Sequence, residues 1–137
     1  MLVAFILIVI HYVADFMFQT EQMATGKSKQ NRQLFLHVYV YTSVFTYFFI
    51  LYLLFHLGMG HHKLIDINLT PNILWFFPIT FICHFIIDYV SSRITARKFA
   101  KKEYYTGIPN MGAFSIIGID QVFHYATLFL TYHFLTN

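Results

Sequence analysis

The sequence predicts an all-α fold, a bundle of four transmembrane helices. Three observations carry that prediction. The chain is 58% hydrophobic and only 11% charged, where soluble domains carry about 25% charged residues. Its apolar residues gather into four runs, Leu2–Gln19, Leu34–Leu57, Ile73–Val90 and Ala113–Leu135. Each is close to the ~20 residues that a helix needs to cross a bilayer, and far too long for a barrel strand. Finally, the basic residues are concentrated in alternate linkers.

The 137 residues fit one integral membrane domain spanning residues 1–137. No low-complexity tract or second-domain linker interrupts it. The single cysteine, Cys83, excludes an internal disulfide and a CxxC metal motif. A net charge of +3 is too small to argue for nucleic acid.

The first run lacks a positive n-region and a clean cleavage site, and His11, Asp15 and Gln19 interrupt it. It reads as a retained helix, not a signal peptide. The linker Thr20–Gln33 holds Lys27, Lys29 and Arg32. The second run follows, bounded at its far end by Gly58, Gly60 and Pro71, which are breakers. The linker Gly58–Asn72 has Lys63 as its one Lys or Arg. The third run should extend as a helix into Ser91–Gly112, the linker with Arg93, Arg97, Lys98, Lys101 and Lys102. The turn-prone Gly107–Gly112 then leads into the fourth run. The positive-inside rule puts the first and third linkers in the cytoplasm, and both termini outside. Trp75 and the tyrosines read as interfacial anchors. His56, His61, His62 and His133 fall toward the outer ends and read as solvated or interfacial.

Inside these runs lie ionisable residues, which are costly in lipid and mark function by default. His84 and Asp88 are four apart in the third run, as are His11 and Asp15 in the first and Asp120 and His124 in the last. Helical spacing puts each pair on one face, one turn apart. Counting inward from the cytoplasmic ends at about 1.5 Å per residue puts Asp15 and Asp88 roughly 3–6 Å deep, with His11 and His84 roughly 9–12 Å deep. His37 is at roughly 5 Å, with Tyr41 one turn deeper; Asp120 and His124 are at roughly 10 and 16 Å. The reversed order in the fourth run therefore keeps each aspartate nearer the cytoplasm than its histidine. All four helices bring polar residues into the cytoplasmic half.

Imidazole and carboxylate together suit Zn, Mn, Fe or Ni better than Cu(I), and bundle proteins build such sites from ligands on facing helices. The candidate metal ligands are His11, Asp15, His37, His84, Asp88, Asp120 and His124. Seven groups exceed one four-coordinate zinc site, so either two divalent ions bind or some groups orient ligands or move protons. Asp15 and Asp88, the shallower carboxylates, are candidate catalytic bases. Gln19, Tyr41 and Gln121 are candidates for orienting hydrogen bonds. Lys27 and Arg93, among the basic residues ringing the mouth, are candidates for capturing an anionic substrate; they also fit plain topology and contact with anionic lipid. Cys83 reads as packing.

The ordered set His11-x3-Asp15-x3-Gln19, His37-x3-Tyr41, His84-x3-Asp88 and Asp120-Gln121-x2-His124, with Lys27 after the first helix, covers nearly the whole chain. It resembles the signature of an uncharacterised family of small bacterial and phage polytopic membrane proteins, a domain of unknown function. That resemblance implies the fold and the site but no reaction. The pattern is also similar in logic to bacterial membrane-bound metal-dependent hydrolases, whose fuller histidine motifs this chain lacks.

Three functions are open on these grounds. The leading expectation is a metal-dependent hydrolase at the cytoplasmic membrane face of a bacterium, acting on an amphiphilic or phosphorylated substrate. A second is an ion, metal or proton transporter, which at this length would need a homo-oligomer. A third is a non-catalytic interaction protein whose His/Asp pairs only hold helices together. Membrane lipids are the expected partners in all three.

Overall fold

The computed structural model describes residues 2–58, 71–105 and 107–136, without the side chains of His56, Leu57 and Pro71. His61, His62 and Lys63, and the side chain of His56, therefore lie outside the described residues. Every regular element described is helical. Helix α1 covers Leu2–Tyr12 and runs into a π-helical turn, Val13–Met17; α2 covers Glu21–Gly26; α3 covers Asn31–Gly58. A 3₁₀ turn, Pro71–Trp75, leads into α4, Phe76–Ala100, and α5 covers Ala113–Thr136.

Three spans, within α3, the 3₁₀ turn with α4, and α5, are long and apolar enough to cross a membrane. The first run is shorter than its sequence extent. Its α-helix has 11 residues and its π turn five, and the chain leaves the helix before Gln19. The Phe18 amide donates to the Val13 carbonyl at 3.1 Å, the wide closure that ends the turn. The third run behaves as its sequence predicts, continuing as helix through Arg93 and Arg97 to Ala100.

The three long helices and the shorter α1 close a ring. Helix α1 packs on α3, α3 on α4, α4 on α5 and α5 back on α1, while the backbones of the diagonal pairs stay apart among the described residues and only side chains meet across the ring. Successive helices run up and down, as short connections require. The pattern is inverted relative to a soluble bundle. Phe5, Tyr47, Leu54, Ile86 and Val122 face outward, while the buried set includes three aspartates and four histidines. Outward apolar surface costs nothing in lipid, and ionisable groups there belong inside the bundle. The apolar core proper joins Leu7, Tyr41, Val44, Phe45, Ile73, Phe76 and Leu128 toward one end.

At the other end, the α4–α5 connection folds back on itself. The Gly112 and Ala113 amides donate to the carbonyls of Tyr105 and Glu103 at 2.9 and 2.8 Å. A Cβ at Gly112 would strike the backbone of Glu103, Tyr104 and Tyr105. Gly112→Ala is therefore expected to cost about 1–3 kcal/mol, the range for overpacking, read as a lower unfolding midpoint. Gly58→Ala, with no atom of the described residues near the added carbon, is the control.

Candidate metal centre

Each helix contributes its polar residues from one inward stripe. In α4 the buried residues are Phe76, Thr80, His84 and Asp88, each four apart. That spacing keeps them on one face while the character shifts from apolar to ionisable. Helix α5 buries Leu128, His124 and Asp120, and α3 buries Phe45, Tyr41 and His37 in the matching order. Helix α1 buries Leu7 and His11, and the π turn carries Asp15 inward. All seven predicted His and Asp residues are at most 9% exposed.

His37 is the hub. Its Nε2 lies 3.0 Å from Asp15 Oδ1, 3.0 Å from Asp88 Oδ2 and 3.2 Å from His84 Nε2. His84 Nε2 is itself 3.6 Å from Asp15 Oδ1 and 3.5 Å from Asp88 Oδ2. On the far side, Asp88 Oδ1 is 3.4 Å from His124 Nε2, which is 3.5 Å from Asp120 Oδ2. The His84 and His124 rings stack with centroids 4.1 Å apart. The closest contacts thus join different helices, and the pairs four apart in sequence are the looser ones.

Two sets of side chains could hold a metal ion: Asp15, His37, His84 and Asp88, and then Asp88, Asp120 and His124. Within each set the ligand atoms lie within 4.8 Å of one another. That spread is slightly more than twice the ion–ligand distance of about 2.0–2.2 Å for N and O donors on zinc. The arrangement is short of protons. One N–H on His37 cannot serve three acceptors, and among the described residues no well-aimed hydrogen bond reaches the buried Asp15 Oδ1, 3.0 Å from His37 Nε2, the buried His124 Nε2, 3.4 Å from Asp88 Oδ1, or the buried His84 Nδ1. Buried polar atoms are rarely left so, and a bound ion is one of the standard reasons. The charges agree. Three aspartates against Lys27 leave two negative charges when the histidines are neutral, which one divalent cation balances.

Around this core, other groups fix the carboxylates. Gln121 donates from Nε2 to Asp15 Oδ2 at 3.2 Å and to Asp120 Oδ2 at 3.1 Å. Its Oε1 must then accept, and it lies 2.9 Å from His11 Nε2. A proton on His11 Nε2 leaves Nδ1 free to accept from the Tyr41 hydroxyl at 2.8 Å. Both His11 nitrogens are taken, and His11 belongs to neither ligand set. Tyr41 also covers the His84 ring, with centroids 3.8 Å apart. Ser91 donates to Asp120 Oδ1; the sequence had offered no reason to single out a helical serine.

Lys27 comes closer than a ring of basic residues at the mouth implies. Its Nζ is 2.9 Å from Asp88 Oδ2, and its side chain is only 17% exposed. The short helix α2 makes this reach. Thr20 caps it by accepting from the Met23 amide at 3.3 Å, and Gly26 lets the chain pass against Gln33, where a Cβ would be 2.8 Å from Cγ. Burial works against the Lys27 charge, but the Asp88 and Asp15 carboxylates outweigh it and raise its pKa above the ordinary value. Arg93 is not brought to the core. Arg93 donates to Asn31 Oδ1 at 2.6 Å and to the Tyr89 carbonyl at 2.8 Å, tying α3 to α4. Gln19 lies beyond the π turn, its Oε1 buried and without a hydrogen-bond partner among the described residues.

No curated protein and no solved structure matches the chain. Residues 3–137 do match the family described as "Protein of unknown function (DUF3307)". Nearly the whole chain is covered, as the ordered His/Asp signature implied, and the protein belongs to that family.

Proposed function

We propose that this is a multi-pass enzyme of a bacterial cytoplasmic membrane, a metal-dependent hydrolase acting at the cytoplasmic face on an amphiphilic or phosphorylated substrate. One observation carries the reading: buried imidazole nitrogens and carboxylate oxygens from four helices converge with too few protons to satisfy one another. Asp15, His37, His84 and Asp88 hold one divalent ion, of Zn, Mn or Fe character. Such an ion lowers the pKa of a bound water toward 7 and polarises a phosphoryl or carbonyl oxygen. Asp15 and Asp88, read from sequence as bases, are in this reading mainly ligands. Asp120 and His124 then take the proton work, with Gln121 and Ser91 holding Asp120. A second ion beside them is balanced in charge only when an anionic substrate enters.

The direct test is release of phosphate from phosphatidic acid in mixed micelles and from p-nitrophenyl phosphate in solution, with zinc or manganese and with chelator. Turnover that chelator abolishes and metal restores is expected. His124→Ala should lower it about 10²–10⁴-fold, the range for general acid–base groups, while metal content stays. Metal-loaded protein that releases no phosphate from either, yet carries the metal into vesicles, would replace the hydrolase with the transporter.

The cytoplasmic placement has its own test. On a Cys83→Ser background, Lys63→Cys should react with an impermeant maleimide from outside the cell, and Lys98→Cys should not. The opposite labelling would put the centre in the outer half and remove a cytoplasmic substrate.

A further inference from the structure

Toward the end opposite Lys27 lies a chamber of about 470 Å³ between α1, α3, α4 and the end of α5. This is the size of a pocket that takes one small-molecule-sized group. Leu7, Ile10, Phe45, Phe49 and Phe76 line it, and its wall is almost wholly apolar. Its floor adjoins the centre. Leu7 is one turn from His11, Phe45 one turn from Tyr41, and Phe76 two turns from His84 on the same stripe. Between Phe76 and His84 sits Thr80, whose buried hydroxyl has no hydrogen-bond partner among the described residues. On the α3 side, Phe48, Leu51 and Phe55 are 38%, 41% and 44% exposed, so that wall reaches the outer surface of the bundle.

We propose that this chamber holds one hydrocarbon chain of a membrane lipid. Its lining lies on the three spans long and apolar enough to cross a membrane and on the shorter apolar helix α1, where the surrounding medium is lipid chain and the outer surface is already apolar. The inner stripe of α4 orders the groups as an amphiphile does: Phe76 for the chain, Thr80 for a polar linkage, His84 and Asp88 for the reacting bond. Lys27 stands beyond them for an anionic head. The substrate class is then a lipid with a phosphorylated or otherwise anionic head. This last step rests on the hydrolase reading, whereas the occupancy of the chamber does not.

The test uses the purified chain in phosphatidylglycerol vesicles doped with phosphatidylglycerol bearing a diazirine at the middle of one chain. After photolysis, adducts are mapped by mass spectrometry. Adducts are expected on Leu7, Phe45, Phe49 and Phe76, beyond those on the outward Phe5 and Leu54. Ile6→Trp and, separately, Val3→Phe extend lining side chains into the space, and each should cut the inner adducts roughly tenfold while metal content stays; loss of metal in one variant leaves the other to decide. Adducts confined to outward positions overturn the proposal. So do inner positions shielded by a second copy, seen as cross-links between chains, or by residues 59–70, seen as inner labelling that appears only when that segment is deleted. Inner adducts without metal-dependent turnover keep the chain site and remove the hydrolase. Turnover of p-nitrophenyl phosphate without inner adducts keeps the hydrolase and removes the chain site.

Discussion

Asp88→Asn is expected to lose the metal and about 3–5 kcal/mol of stability in the same variant. Asp88 is the one residue shared by both ligand sets. Its Oδ2 also meets Lys27 at 2.9 Å and His37 at 3.0 Å. An amide keeps the shape but replaces a charged acceptor, leaving the Lys27 ammonium buried beside a neutral group. The measurement is metal content alongside unfolding in the same detergent. The sequence alone leaves base, ligand and staple open for Asp88. A base keeps the metal and loses turnover; a ligand loses both; a staple changes stability by only about 0.6–2 kcal/mol. The distances favour the ligand. Full metal in Asp88→Asn would move the ion to other residues.

Lys27→Met is expected to destabilise the metal-free protein by about 3–5 kcal/mol, because three buried carboxylates lose their one lysine. Adding metal should recover much of that loss, so the stabilisation by metal should exceed that of the wild type. The double variant Asp88→Asn with Lys27→Met should cost less than the sum of the two, as contacting residues in one network do. An unchanged unfolding midpoint in Lys27→Met would mean that the lysine follows topology alone.

Much of this is legible in the residues because lipid inverts the usual pattern. Four long apolar runs fix four helices, and any ionisable residue inside them stands out against its surroundings. The i, i+4 spacing correctly puts His84 and Asp88 on one face. It does not follow that they bond each other. Both side chains point across the ring, and each finds its closest partner on another element: His84 on His37, and Asp88 on Lys27 and His37. His37 has no acidic residue four positions away, so helical spacing gave no hint that it is the hub. The reach of Lys27 depends on α2, a helix of six residues, too short to leave a periodic signal. The π turn at Asp15 and the Ser91 hydroxyl are likewise set by tertiary packing. His11 shows the reverse: its residue type fits a ligand, but Tyr41 and Gln121 occupy both nitrogens.

In the proposed function, Asp15, His37, His84 and Asp88 hold a divalent ion. Elemental analysis of the purified protein, expressed with added zinc, manganese and iron, tests it most directly when run beside His84→Ala and His11→Ala. One ion per chain is predicted, lost in His84→Ala and retained in His11→Ala. A folded wild-type protein without stoichiometric metal, or a His84→Ala variant that keeps it, would rule out an ion on these four residues and leave a hydrogen-bonded polar core in its place.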